Sequence, residues 1–186
     1  MPSIKVGYFV GSLAKASINR KLAHALVRLA PEQLVLEEIA IGDLPLYSYD
    51  YDASFPAVAQ ALKQTIASVD ALLFVTPEYN RSIPGALKNA IDWGSRPAGK
   101  NSFTGKPSAV IGTSPGALAS AFAQLHMRTI LGFCKSPHMN SPEAYIRFTP
   151  GLITDDGEVT SEATASFLRD YMAEFRAFIV RALWVL

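Results

Sequence analysis

Between Gly11 and Asn19 the chain places Ser12, Ser17 and Asn19, small side chains able to donate hydrogen bonds, with Lys15 as the cation among them. Hydroxyls, an amide and an ammonium with no carboxylate between them suit an anion. Ser17-x-Asn19 reads as a helix cap, and the free N–H groups and dipole of a helix start would point at the same spot. A phosphate is the expected guest. The stretch lacks the Gly-Lys pair that wraps a nucleoside triphosphate, and no G-x-G-x-x-G follows the apolar run before it. The later GKNSFTGKPS run has Pro107 where a magnesium-binding hydroxyl would stand. A lone monophosphate remains, against the plainer alternative of a cap with no ligand.

Two further loops carry chemistry. Thr76 to Gly85 reads TPEYNRSIPG, with Pro77 and Pro84 stiffening a backbone edge along which a flat ligand could lie and Tyr79 able to lie beside it. A structural turn capping the next helix through Ser82 and Pro84 is the alternative. Gly112-Thr-Ser-Pro-Gly116 matches the form of a G-x-S-x-G nucleophile elbow. The residue after Ser114 is Pro115, which has no N–H for an oxyanion hole, and no acid lies between Ser114 and the last histidine, His138. Ser114 is therefore expected as a hydrogen-bond donor beside a closely approaching ring. His24, His126 and His138 lack metal-ligand spacing, so no metal is expected, and Asp50, Asp52, Asp155 and Asp156 read as solvated loop residues.

Strand and helix signals alternate along the chain and must bring these loops together. Ile4 to Val10 is a nearly all-apolar strand, as expected for one covered on both faces, and Ile18 to Leu29 a helix. Leu34 to Ile41 reads as a second strand, followed by a Tyr- and Asp-rich connection from Gly42 to Ser54. A helix from Pro56 to about Ser68, a strand from Ala71 to Val75 and a helix from Pro84 in its first turn to Trp93 come next. Ser108 to Gly112 is a strand, Leu118 to Leu131 a helix, Ala144 to Ile146 a weak strand, and Thr160 to Leu183 a last amphipathic helix. Ile179 to Leu186 reads as its packed end. The apolar face ending at Trp93 reads as core, with room for a second subunit to cover part of it.

These elements predict an α/β fold: a flavodoxin-like three-layer sandwich with a five-stranded parallel sheet in the order 2-1-3-4-5. In such a sheet ligands bind beyond the carboxyl ends of the strands where the order reverses. All three loops fall there.

Length and charge bound the rest. A chain of 186 residues suits one domain, expected here over residues 1–186, and folding at that size buries roughly 70% of the unfolded surface. A net charge of +1 disfavours nucleic acid as a partner. No apolar run approaches the roughly 20 residues of a membrane helix, so no membrane partner is expected. The single cysteine, Cys134, and the lack of a leader before the first strand point to the cytoplasm.

GSLAKASIN, TPEYNRSIPGALKNAIDW and a fourth strand ending in TS resemble the NADPH-dependent FMN reductase family, which includes quinone, azo-dye and chromate reductases. The resemblance runs across nearly the whole chain. It implies a single flavodoxin-like FMN-binding domain whose first loop, with Ser12, Lys15, Ser17 and Asn19, binds the FMN phosphate. Pro77, Glu78, Tyr79, Asn80 and Arg81 would border the isoalloxazine ring, and Ser114 would come from the third loop; separately from the resemblance, Arg81 at the rim is a candidate contact for the nicotinamide nucleotide's phosphates. The resemblance implies hydride transfer from NADPH or NADH to FMN and on to a small-molecule acceptor: flavin, quinone, azo compound or metal oxyanion. No catalytic side chain is then required. The alternative is a non-enzymatic, flavodoxin-type electron carrier, which usually docks through an acidic surface that this chain's charge does not supply. Such family members are commonly homodimers or homotetramers, with the helix after the P-E-Y-N loop as a plausible contact. Two departures stand out: the family often has GSLRKGSFN where Ala14 and Ala16 stand here, and a Gly-Gly pair where this chain has Ala119-Ser120.

Overall fold

The computed structural model describes residues 3–185. Its strands are β1 (Ile4–Val10), β2 (Leu34–Glu38), β3 (Ala71–Val75), β4 (Ser108–Ser114) and β5 (Tyr145–Arg147). The helices are α1 (Ile18–Leu29), α2 (Ala57–Ala67), α3 (Gly85–Ser95), α4 (Ala121–Phe133) and α5 (Glu162–Val185). All four strand pairings are parallel and the sheet order is β2-β1-β3-β4-β5, the flavodoxin-like arrangement.

Residue alternation along the strands builds two cores at once. Val6, Tyr8, Val10, Ala71, Leu73, Val75, Ala109 and Ile111 face one side, where Leu22 and Leu26 of α1 and Leu168, Met172, Phe175 and Ile179 of α5 cover them. Phe9, Leu72, Phe74 and Val110 face the other, against Leu62 and Ile66 of α2, Leu87 and Trp93 of α3 and Met127 and Leu131 of α4. Phe9 and Phe74, paired in register across β1 and β3, stack with centroids 4.9 Å apart. Because every strand runs the same way, β1, β3 and β4 all end on one edge of the sheet.

Several boundaries differ from the expectations above. β2 stops at Glu38 rather than Ile41, because the chain bends after Ile39 N–H bonds the Tyr8 carbonyl and buries Ile39 and Ile41 under the α2 layer. β4 runs on to Ser114, since β5 pairs with its last three residues, and β5 sits one residue later than Ala144–Ile146. α4 starts at Ala121, not Leu118, because Ala119 has a left-handed φ of 49° that no helix continues through. Pro84 caps α3 from outside rather than sitting in its first turn, and it makes no side-chain cap bond. The end of α5 is not packed: Ile179 is buried, but Trp184 is 86% exposed, and Leu186 lies outside the described residues. No helix among the described residues is long and apolar enough to cross a membrane.

The connection from Gly42 to Ser54 is pinned to α3. Trp93 is fully buried, donates its indole N–H to the Pro45 carbonyl at 2.7 Å, and meets Tyr47 and Phe55 edge-on. Asn89 grips the same segment through the Tyr47 N–H and the Pro45 carbonyl. Asp52 is not a free loop carboxylate. It pairs with Arg96 and accepts from the Tyr47 hydroxyl at 2.9 Å.

Burial alone would raise the Asp52 carboxyl, but the hydrogen bonds from Arg96 and Tyr47 outweigh it and hold it below the usual carboxylate range. A carboxyl depressed in the folded state adds stability above its unfolded pKa, and that stability is lost as pH falls through the folded value. Denaturant unfolding between pH 5 and roughly 2 should therefore show the wild type losing stability as acid is added. Asp52→Asn should be less stable near neutrality and lose stability less steeply over that range.

Candidate functional site

The loops that follow β1, β3 and β4 are sewn together by backbone bonds at the strand ends. Gly11 N–H donates to the Val75 carbonyl at 2.8 Å, and Thr76 N–H to the Ile111 carbonyl at 2.9 Å. A Cβ on Gly112 would lie 1.9 Å from the Thr76 carbonyl oxygen, so only glycine lets β3 and β4 part company this closely. Beyond them lies a cleft of about 420 Å³. Ser12, Ala14, Ser17 and Asn19 line it from the first loop, Pro77, Glu78 and Tyr79 from the second, and Thr113, Ser114 and Pro115 from the third.

In the first loop, Ser17 caps α1 by accepting from Arg20 N–H, and Ser12 Oγ accepts from Ala14 N–H. Both hydroxyls keep their hydrogens to donate. The N–H groups of Ile18 and Asn19, in the first turn of α1, have no protein acceptor among the described residues. Asn19 has a different place from the free donor that its sequence position suggests. Its side chain is 1% exposed, donates to the Thr113 carbonyl at 2.9 Å and accepts from Thr113 N–H at 3.0 Å. It ties the first loop to the third.

Lys15 lies outside the cleft, in an adjoining groove with Arg20, Lys21 and His24. Arg20 is held by both oxygens of Glu38 and Lys21 by Asp155, while Lys15 has no ion-pair partner among the described residues. Opposite, Ser114 Oγ accepts from Gly116 N–H at 3.0 Å, which also leaves its proton free. The cleft is thus lined by small hydroxyls from the first and third loops and by the proline-stiffened edge of the second.

The second loop folds into a tight reversal. Tyr79 and Ser82 exchange both backbone hydrogen bonds, and Asn80 and Arg81 between them have φ of 50° and 65°. Two successive left-handed residues are the pattern of a type I′ turn, which suits Asn at the first position and is strained for Arg at the second. Ser82 does not cap α3: its hydroxyl meets His126 Nδ1 at 3.0 Å. Asn80 and Arg81 stand outside the cleft lining, and Tyr79, half exposed, stands at its mouth.

Sequence reasoning missed two participants. Thr113, whose backbone holds Asn19, was within reach, because it ends the strand entering the third loop. Phe122 was not, because nothing local links it to Glu78, whose carboxylate accepts from its N–H at 2.9 Å. A larger groove of about 640 Å³ between the start of α3 and α4 holds Ser82 and His126. That pair has no third group orienting the imidazole among the described residues, so it does not form a nucleophile triad. Among the described residues no cluster of His, Cys, Asp or Glu could hold a metal ion.

Residues 4–151 match the NADPH-dependent FMN reductase family. A 2-hydroxy-1,4-benzoquinone reductase from a Burkholderia species is 49% identical over 177 residues, covering 95% of this chain and 97% of the relative. A quinone reductase from Pseudomonas putida is 46% identical, covering 94% of each chain. Among solved structures, FerB from Paracoccus denitrificans, a flavoenzyme NAD(P)H:(acceptor) oxidoreductase, superposes with a TM-score of 0.92 at 45% identity. That match spans 96% of this chain and 98% of FerB.

Ala119 closes the third loop at its left-handed φ, where a β-carbon costs roughly 1–2 kcal/mol that glycine avoids, offset in part by glycine's greater loss of chain entropy. Ala119→Gly should raise stability by about 0.5–1 kcal/mol and the melting temperature by about 2 °C in a thermal scan.

Proposed function

The chain belongs to the NADPH-dependent FMN reductase family, and from that premise we propose that the cleft beyond β1, β3 and β4 holds FMN, its phosphate at Ser12 and Ser17 and its ring along Pro77 to Tyr79. The protein is an NAD(P)H-dependent flavin oxidoreductase. One observation carries the assignment of the cleft: free hydroxyl protons and helix-start N–H groups converge at one end, with no free carboxylate to repel an anion. Glu78, the carboxylate in the lining, is committed to α4 and Arg81. The donor set fits a phosphate monoester, and the volume falls within the range of small-molecule sites.

The chemistry FMN supplies when bound is acceptance of hydride from the nicotinamide and delivery of reducing equivalents to a second substrate. The residues of this chain bind and align. Ser12 and Ser17 donate to the phosphate, Asn19 keeps the first and third loops in register, and Ser114 donates from the far wall. Pro77, Glu78 and Tyr79 present a rigid backbone edge to the ring, with the Tyr79 side chain at the open mouth where a second flat molecule would stack and Asn80 in the turn just beyond. Lys15 adds positive potential from the adjoining groove, and Arg81 on the rim meets the phosphates of the nicotinamide nucleotide. Stacked hydride transfer depends on alignment rather than on a side-chain acid or base, so the lack of a triad at the cleft is consistent with the reading.

A quinone is the acceptor we favour, supported by relatives named quinone reductases that cover nearly the whole chain. Residues 1–186 would act as one flavin-binding unit in a reducing cytoplasm, where buried Cys134 needs no partner. Assembly as a homodimer or homotetramer is supported by exposed Phe122, Leu125 and Phe133 on α4.

Anaerobic titration of the FMN-loaded protein with NADH and with NADPH should bleach the flavin without any added reductase. Reoxidation should be faster with a benzoquinone than with free FMN or an azo dye. A flavin that stays oxidised until a separate reductase is added would instead make the protein an electron carrier.

Ala14 lines the phosphate end without contributing charge. Placing a guanidinium there adds a charge-assisted bond of about 1.5–3 kcal/mol. Ala14→Arg should tighten FMN binding by about tenfold or more, read from quenching of flavin fluorescence.

A further inference from the structure

We propose that the Glu78 carboxylate is a positioning group that anchors the Tyr79–Ser82 turn to α4, rather than one that touches the bound ligand. The inference rests on the reading of the cleft as the flavin site. Its basis is where the carboxylate's two oxygens go. Oε2 accepts from the N–H of Phe122 at 2.9 Å and, more weakly, from that of Ala123 at 3.4 Å. Oε1 pairs with Arg81 Nη1 at 3.0 Å, and the side chain is only 8% exposed.

The N-cap position of α4 belongs to Ser120, whose hydroxyl makes no cap bond to the helix start. Glu78 supplies the missing acceptor from another loop, and it places a negative charge at the positive end of the helix dipole. Arg81 is held from two sides, by Glu78 and by the Phe122 ring, whose centroid lies 5.2 Å from the guanidinium carbon. Ser82 meets His126, one turn further along the same helix.

Every side-chain contact named for this turn therefore ends on the first two turns of α4 or on Glu78 itself. That matters because Asn80 and Arg81 both hold left-handed backbone, a conformation that persists only where the surroundings over-determine it. Without the carboxylate, α4 loses its cap and Arg81 its ion pair. The strained turn, which carries the backbone edge proposed to meet the ring, then has less to hold it.

The two oxygens make separable predictions. Glu78→Gln keeps an oxygen for the Phe122 N–H but gives up the charge on Arg81, whereas Glu78→Ala gives up both. In the flavin-free protein, hydrogen exchange at the amides of Phe122 and Ser82 should speed up by about tenfold or more in Glu78→Ala, with Phe122 nearly as protected as wild type in Glu78→Gln. In the FMN-loaded protein, Glu78→Ala should raise the FMN dissociation constant by about tenfold. Glu78→Gln should restore it to within about threefold, with a KM for NAD(P)H that stays raised and an unchanged flavin midpoint potential. Should Glu78→Ala not fold, Glu78→Asp, one methylene too short to reach α4, takes its place.

Unchanged exchange at Phe122 and Ser82 in the truncated variant overturns the proposal, as does a midpoint potential that turns more positive in Glu78→Gln, which would put the carboxylate's charge against the ring. A wild-type protein that takes up no FMN would defeat the reading of the cleft alone. The exchange measurement on the flavin-free protein would still decide the role of Glu78.

Discussion

The amide of Asn19 sets the distance between the two outer walls of the site. It reads both backbone groups of Thr113, donating to the carbonyl and accepting from the N–H, from a position with almost no contact with water. A buried backbone pair left without partners costs about 1–3 kcal/mol per group. An aspartate here could accept but not donate, and a leucine could do neither. The first turn of α1 and the end of β4 are thus locked together by one side chain. The hydroxyls of Ser17 and Ser114 stand on either side of that lock, so their spacing follows from it.

Close backbone approach makes that lock possible. β4 must pass the Thr76 carbonyl with no β-carbon at Gly112, and Gly11 leaves β1 against Thr76 Oγ1, 3.0 Å from where its own β-carbon would sit. Thr76 itself is fully buried and turns its hydroxyl onto the Pro77 carbonyl. These contacts bring the three strand ends nearer than side chains would ordinarily allow. The loops then diverge around a small cleft instead of an open trough. Strand order decides which loops meet, and these small residues decide how closely.

What could be read from the sequence follows the range of the forces involved. β1 and β3 were legible because a parallel strand covered on both faces must be apolar nearly throughout, as Ile4 to Val10 and Ala71 to Val75 are. The cap at Ser17 was legible because its partner lies three residues away. The end of β2 was not, since Ile39 and Ile41 look like strand residues and serve instead as core under α2. Nor was the start of α4, where the left-handed backbone at Ala119 overrides good helix formers before it. Asn19 looked like one more donor in a polar loop. Its actual partner is 94 residues away, at a distance in sequence where no local pattern reports.

Glu78 shows the same limit with a chemical consequence. A glutamate in a loop beside an anionic ligand looks unfavourable on electrostatic grounds, since its charge opposes the phosphate's. The structure resolves the conflict by using that charge elsewhere: the carboxylate is drawn to the start of α4 and to Arg81, with little of it facing solvent. Its field at the cleft is offset by the helix dipole and by the guanidinium it holds. The loop keeps the rigidity that a nearly buried side chain with partners on both carboxylate oxygens confers. Packing on the α4 side of the sheet therefore governs the edge where a flat ligand would lie, as firmly as the strand ends govern its floor.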